Sequence, residues 1–187
     1  MPDVAEKTFA VAEYFELEKT SRVRHEFVHG TLIEMPGEKK KANEIAGNCY
    51  FALRQALKGK GQKIYEHDVR TMVEAGNIYR YPDLVVAPET DRDDEYNVTQ
   101  PGLIIEVLSE STEQTDRNKK LKEYCRIPSL RYYLLVSQDE CLVETYSRKG
   151  EEWIYDFHTK PTEIIQLDFY QATLELSAIY ENIKLAG

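Results

Sequence analysis

The run LIIEVL at 103–108 constrains this chain most tightly, because Glu106 is its only charged residue and core-type side chains stand on both sides of it. A buried carboxylate costs several kcal/mol unless it is paired, hydrogen-bonded or bound to a cation. A second acid has a similar setting. Asp83 follows Pro82 and is followed at once by Leu84-Val85-Val86, which puts it at the mouth of an apolar strand. The intervening segment Glu89–Asn97 is rich in acids and reads as a solvated loop, and the separation permits the two runs to be neighbouring strands. Two carboxylates on adjacent strands can share one hard divalent ion such as Mg²⁺, which takes oxygen ligands and keeps several waters.

The rest of the chain supplies a frame for such strands. Its 187 residues suit one domain over 1–187, and 42% hydrophobic with 30% charged residues fits a globular protein. Thr8 is expected to cap a helix reaching about Lys19, and His29-Gly30 to turn a hairpin between Arg24–Val28 and Thr31–Met35. Lys39–Lys41 reads as a solvated loop before a helix over Asn43–Lys58. Strands follow at Lys63–Glu66, Val69–Glu74 and Ile78–Ala87. A helix over Glu113–Arg126 stops at Pro128. Further strands are expected at Arg131–Val136, Cys141–Tyr146, Trp153–Phe157 and Ile164–Leu167, and a short helix at Ser177–Asn182. The order predicts a mixed α/β fold with a central sheet flanked by helices.

The third chemical element is cationic. Arg117–Arg126 carries five basic residues against one acid. A lysine at the start of this helix can reach a metal-bound water or a scissile phosphate, where it offsets charge that develops in hydrolysis. Lys119, Lys120 and Lys122 all qualify by position. Asp68 and Asp116 read as helix-capping acids in preference to acids that support the site from behind.

Other chemistries find less support. The N-terminus lacks a basic start followed by an apolar run, and no stretch approaches the roughly 18 apolar residues of a membrane helix. Cys49, Cys125 and Cys141 are far apart and odd in number, which predicts free thiols in a reducing cytoplasm. His25, His29, His67 and His158 show no zinc-site spacing, no glycine-rich phosphate loop is present, and Ser109 and Ser111 lack a nearby histidine. A formal charge of −9 argues against non-specific coating of nucleic acid, but is compatible with one local basic surface.

YPDLVV, IIEVLS, STEQTDRNKKLKEY and RYYLLVS, in that order, resemble the Uma-two family of putative restriction endonucleases. RHEFVHGTLIEM and NEIAGNCYFALRQAL extend the likeness, so it runs from about Phe9 to about Tyr180. The resemblance implies a restriction-endonuclease-like fold and a variant PD-(D/E)XK site. In that register Asp83 and Glu106 are the metal-holding acids, and Glu26 is a further acid brought to the site. Leu108 stands where a standard motif has lysine; the family moves that lysine into the following helix, at Lys120. One departure is Ala42, where the family commonly carries histidine. The implied function is Mg²⁺- or Mn²⁺-dependent hydrolysis of DNA, with a homodimer expected because cutting both strands commonly takes two sites. The alternative is a nuclease-fold module that binds nucleic acid or protein without cutting.

Overall fold

Two sheets meet where the chain passes Tyr81-Pro82-Asp83. The computed structural model describes residues 7–91 and 95–185. Helix α1 (Val11–Thr20) leads into β1 (His25–Val28) and β2 (Thr31–Glu34), followed by α2 (Lys40–Ala56), β3 (Gln62–Glu66), β4 (Arg70–Glu74) and β5 (Ile78–Arg80). Next come β6 (Leu84–Pro88), β7 (Asn97–Val98) and β8 (Leu103–Leu108). A helical rod then runs through α3 (Glu113–Thr115), a π-helical turn (Asp116–Lys120) and α4 (Leu121–Tyr124). Strands β9 (Tyr132–Ser137), β10 (Val143–Lys149) and β11 (Glu152–His158) form a meander, and β12 (Ile164–Leu167), β13 (Ala172–Glu175) and α5 (Leu176–Ile179) close the described chain.

The larger sheet has the order β11-β10-β9-β8-β6-β3, the second runs β2-β1-β5-β4-β7, and β12 and β13 pair as a small two-stranded sheet of their own. In the larger sheet β8 and β9 are parallel, while β6 is antiparallel to both β3 and β8. Its central strands are almost wholly apolar because both faces are covered, Glu106 of β8 being the charged exception. Leu84, Val86, Leu103 and Ile105 pack against Ile45, Cys49 and Leu53 of α2. Val85, Ile104, Tyr133 and Leu135 pack on the other side with Tyr124, Ile127 and Leu130.

Several boundaries differ from the sequence reading for identifiable reasons. The stretch Ile78–Ala87 is not one strand. It changes sheet at Tyr81–Asp83, where the proline lacks an amide hydrogen to offer a ladder. Lys40 and Lys41 are not loop residues but open α2. Thr8 does not cap α1; Ala10 precedes the helix, and its N–H donates to Glu13 Oε2. Thr8 instead lies against Gly30, where an added Cβ would collide with its Cγ2. His29 and Gly30 both have positive φ, as a tight hairpin turn requires. The acidic loop lies partly outside the described residues.

Candidate metal centre

Sheet register brings the two separated acids together. Leu84 faces Ile105 across the antiparallel β6–β8 ladder, so one step further Asp83 comes opposite Glu106. The Asp83 carboxylate fastens this end of the ladder, with Oδ2 accepting the Val107 N–H at 2.6 Å. On the other side of β6, the His67 N–H donates to the Asp83 carbonyl at 3.0 Å.

Glu106 is 3% exposed, yet its Oε1 is fully engaged: it accepts from Lys120 Nζ and from the Tyr124 hydroxyl, each at 2.9 Å. Lys120 also lies 3.0 Å from Asp116 Oδ1 and 3.5 Å from Glu26 Oε1. Of the three candidate lysines only Lys120 is buried; Lys119 and Lys122 are exposed. The π-helical turn sets this orientation, since its wider winding ends on Lys120 and places it over the β8 face that carries Glu106. Asp116, expected as a capping acid, is 1% exposed and belongs to this ion cluster. Asp68 is exposed, 3.6 Å from Arg24 Nε.

Glu26 reaches the cluster from the second sheet. Arg80 of β5, fully buried, donates to Glu26 Oε2 at 2.5 Å and makes two hydrogen bonds of 2.9 Å to Glu123 of α4. Glu26 is therefore no strand-surface acid, and Arg80 is the residue that ties its strand to the helical rod.

Electrostatics explain why these groups constrain one another. Burial favours neutral Lys120, but the carboxylates of Glu106, Glu26 and Asp116 outweigh it and raise the ammonium well above its ordinary pKa. Burial also pushes Glu26 upward, but Lys120 and Arg80 prevail and hold it below the usual carboxylate range. Glu106 is raised well above that range because desolvation exceeds the help it receives from Lys120. Asp83 is pushed up to about 6, chiefly by burial, with the Val107 N–H and Lys120 opposing. The cluster has five carboxylates (Glu26, Asp83, Glu106, Asp116 and Glu123) and two cations (Arg80 and Lys120) among the described residues.

That excess of negative charge in a desolvated place fits a divalent cation. Asp83 and Glu106 both line a cavity of about 320 Å³, together with Lys120, Glu38, His67 and Ala42. The second carboxylate oxygen of Glu106 accepts no hydrogen bond among the described residues, which leaves it as a donor toward that space. An all-oxygen pair of this kind suits Mg²⁺ or Mn²⁺.

Sequence reasoning did not find Glu38, His67, Arg80 or Tyr124. Arg80 and Tyr124 sit in strongly patterned segments, but only the fold shows that they meet. Glu38 and His67 have no shared motif, being brought together by the turn after β3 and the approach to α2.

The comparisons with known proteins bear on the family and the fold. Residues 11–178 match the Uma2 family model, described as "Putative restriction endonuclease". Uncharacterized protein sll1609 of Synechocystis is 32% identical over 152 residues, covering 79% of this chain and 86% of that protein. Uncharacterized protein slr1290 of the same organism is 27% identical over 173 residues, covering 91% and 90%. The fold is similar to the crystal structure of a "putative nuclease belonging to DUF820" from Anabaena variabilis, with a TM-score of 0.75 at 17% identity over 94% of this chain and 99% of that one. With its restriction-endonuclease-like α/β fold, the chain belongs to the Uma2 family.

Proposed function

We propose that this protein is a divalent-metal-dependent DNA endonuclease whose active centre is the cavity bounded by Asp83, Glu106 and Lys120. One observation supports the reading above others. Glu26, Asp83, Glu106 and Lys120, picked from separate segments of the sequence, converge on one desolvated ion cluster that is short of positive charge.

Asp83 and Glu106 would hold Mg²⁺ or Mn²⁺. A bound ion of this kind polarises a phosphoryl oxygen and acidifies a coordinated water. The chain's own residues supply the remainder. Lys120 stays protonated because three carboxylates surround it, so its ammonium is available to offset charge that builds on the phosphate. Tyr124 and Lys120 both bond Glu106 Oε1, which orients the other oxygen toward the cavity. Glu26 and Asp116 position Lys120 and do not themselves line the cavity. Hydrolysis breaks one P–O ester bond as water oxygen adds to phosphorus. Duplex cutting would be served by a symmetric homodimer that presents two such centres.

The test is incubation of supercoiled plasmid and single-stranded DNA with wild type, Asp83→Ala and Lys120→Ala in Mg²⁺, Mn²⁺ or EDTA. Cutting by wild type alone, abolished by EDTA, is expected. Metal-loaded wild type that binds DNA but cuts neither substrate would favour the binding-module alternative.

A further inference from the structure

We infer that His67 and Glu38 extend this centre, giving it a nitrogen donor that makes it prefer Mn²⁺ to Mg²⁺. The inference rests on the metal-centre reading and goes further, to the identity of the ion.

The argument begins with sheet register. Glu66 faces Leu84 in the β3–β6 ladder, so the next residue, His67, comes opposite Asp83, and its N–H is bonded to the Asp83 carbonyl. His67, Asp83 and Glu106 therefore stand in a row across the ends of three adjoining strands. The imidazole turns toward the cavity. One ring nitrogen, one Asp83 carboxylate oxygen and one Glu38 carboxylate oxygen all lie within 4.8 Å of one another, a spacing that one cation can bridge. His67 and Glu38 line the same cavity as Glu106.

Asn43 also holds the two side chains close to one another. Asn43, in the first turn of α2, donates to Glu38 Oε2 at 2.9 Å, and its amide nitrogen lies 3.3 Å from His67 Nε2. His67 Nδ1 is 3.8 Å from Glu38 Oε2, beyond a hydrogen bond, so the contact leaves room for an ion. His67 holds a left-handed backbone conformation, φ 54°, fixed by its bond to Asp83 and by the Val69 N–H donated to its own carbonyl at 2.6 Å.

Mg²⁺ seeks a near-octahedral shell of oxygen and retains water, whereas first-row transition ions accept imidazole nitrogen readily. Adding one imidazole to carboxylate donors therefore shifts selectivity toward Mn²⁺ without abolishing Mg²⁺ binding.

The experiment titrates wild type, His67→Asn and Asp83→Ala with Mn²⁺ alone and Mg²⁺ alone by calorimetry, and records pulsed electron paramagnetic resonance of the Mn²⁺ samples. Asparagine tolerates positive φ and exchanges the ring nitrogen for an amide oxygen, so the variant retains the local backbone. Wild type should bind Mn²⁺ about tenfold or more tightly than Mg²⁺ and show nitrogen coupling to the ion. His67→Asn should lose the coupling and most of the preference while keeping its Mg²⁺ affinity. Nitrogen-free Mn²⁺ in wild type, or an unchanged preference in His67→Asn, would overturn the inference while metal loss in Asp83→Ala leaves the underlying centre standing. Wild type that binds neither ion would overturn both.

Discussion

At the residue scale, the chemistry follows from a mismatch in number between acids and bases. Lys120 is surrounded by three carboxylates and Arg80 by two more contacts, and both cations are already engaged. The acids of the centre therefore retain protons that a divalent ion would have to displace, and the titration belongs to the cluster as a whole. Asp83 rises from an ordinary 3.8 to about 6, so its folded form binds a proton more tightly than the unfolded chain does. In metal-free protein Asp83 makes stability fall as pH rises from about 4 to 6, since the folded state holds the extra proton across that window. Asp83→Asn should flatten that part of a denaturation-versus-pH profile. With metal the sign reverses: affinity should weaken as pH falls below about 6, with protons released on binding, measurable by calorimetry in buffers of different ionisation enthalpy. A pH-independent affinity between 5 and 7 would contradict this account of Asp83.

At the element scale, two features decide whether the site forms. The first is the six-residue strand β8, whose alternation of faces sends Glu106 toward the helical rod and Ile105 toward α2. The second is the π-helical turn Asp116–Lys120, which carries both the acid and the lysine of the cluster. The strand was legible in the sequence because five apolar residues around one acid leave little else to expect. The π-turn was not, since its winding shows in no composition or spacing; Asp116 therefore read as a cap, and only the family register singled out Lys120 from Lys119 and Lys122. Helix α2 offers a clean test of propensity apart from function. Gly47 lies mid-helix and exposed, and a Cβ added there meets no atom within 4 Å. Gly47→Ala should stabilise the protein by about 0.5–1 kcal/mol in urea denaturation, with metal binding unchanged. A loss of stability would mean that this surface of α2 is covered in solution.

At the scale of the whole molecule, Arg80 joins the two sheets through the ion cluster. Its guanidinium spans Glu26 on β1 and Glu123 on α4, so one buried side chain links the second sheet to the helical layer over the first. Arg80→Met leaves Glu123 buried without its cation and Glu26 with Lys120 alone, and should cost about 3–5 kcal/mol in urea denaturation, with sheets still unfolding in one transition. A loss under 1 kcal/mol would show that the acids find other partners. The order of helices and most strands and the hairpin could be expected from the chain alone, β7 and β13 excepted, and the spacing of Asp83 and Glu106 was compatible with neighbouring strands. The division into two sheets could not, because Ile78–Ala87 reads as one apolar strand until Pro82 is seen to carry the chain from one sheet to the other. The same turn explains why His67 escaped notice: its link to Asp83 is a register between strands, with no spacing in the sequence to announce it. Among the described residues no helix is long and apolar enough to cross a membrane.

The most direct measurement is anomalous diffraction from crystals of this protein soaked in Mn²⁺. The account predicts a strong peak in the cavity between the Asp83 and Glu106 carboxylates, absent from identically soaked Asp83→Ala crystals. Occupied Mn²⁺ sites elsewhere with none at that position, under conditions where the wild type cuts DNA, would contradict it.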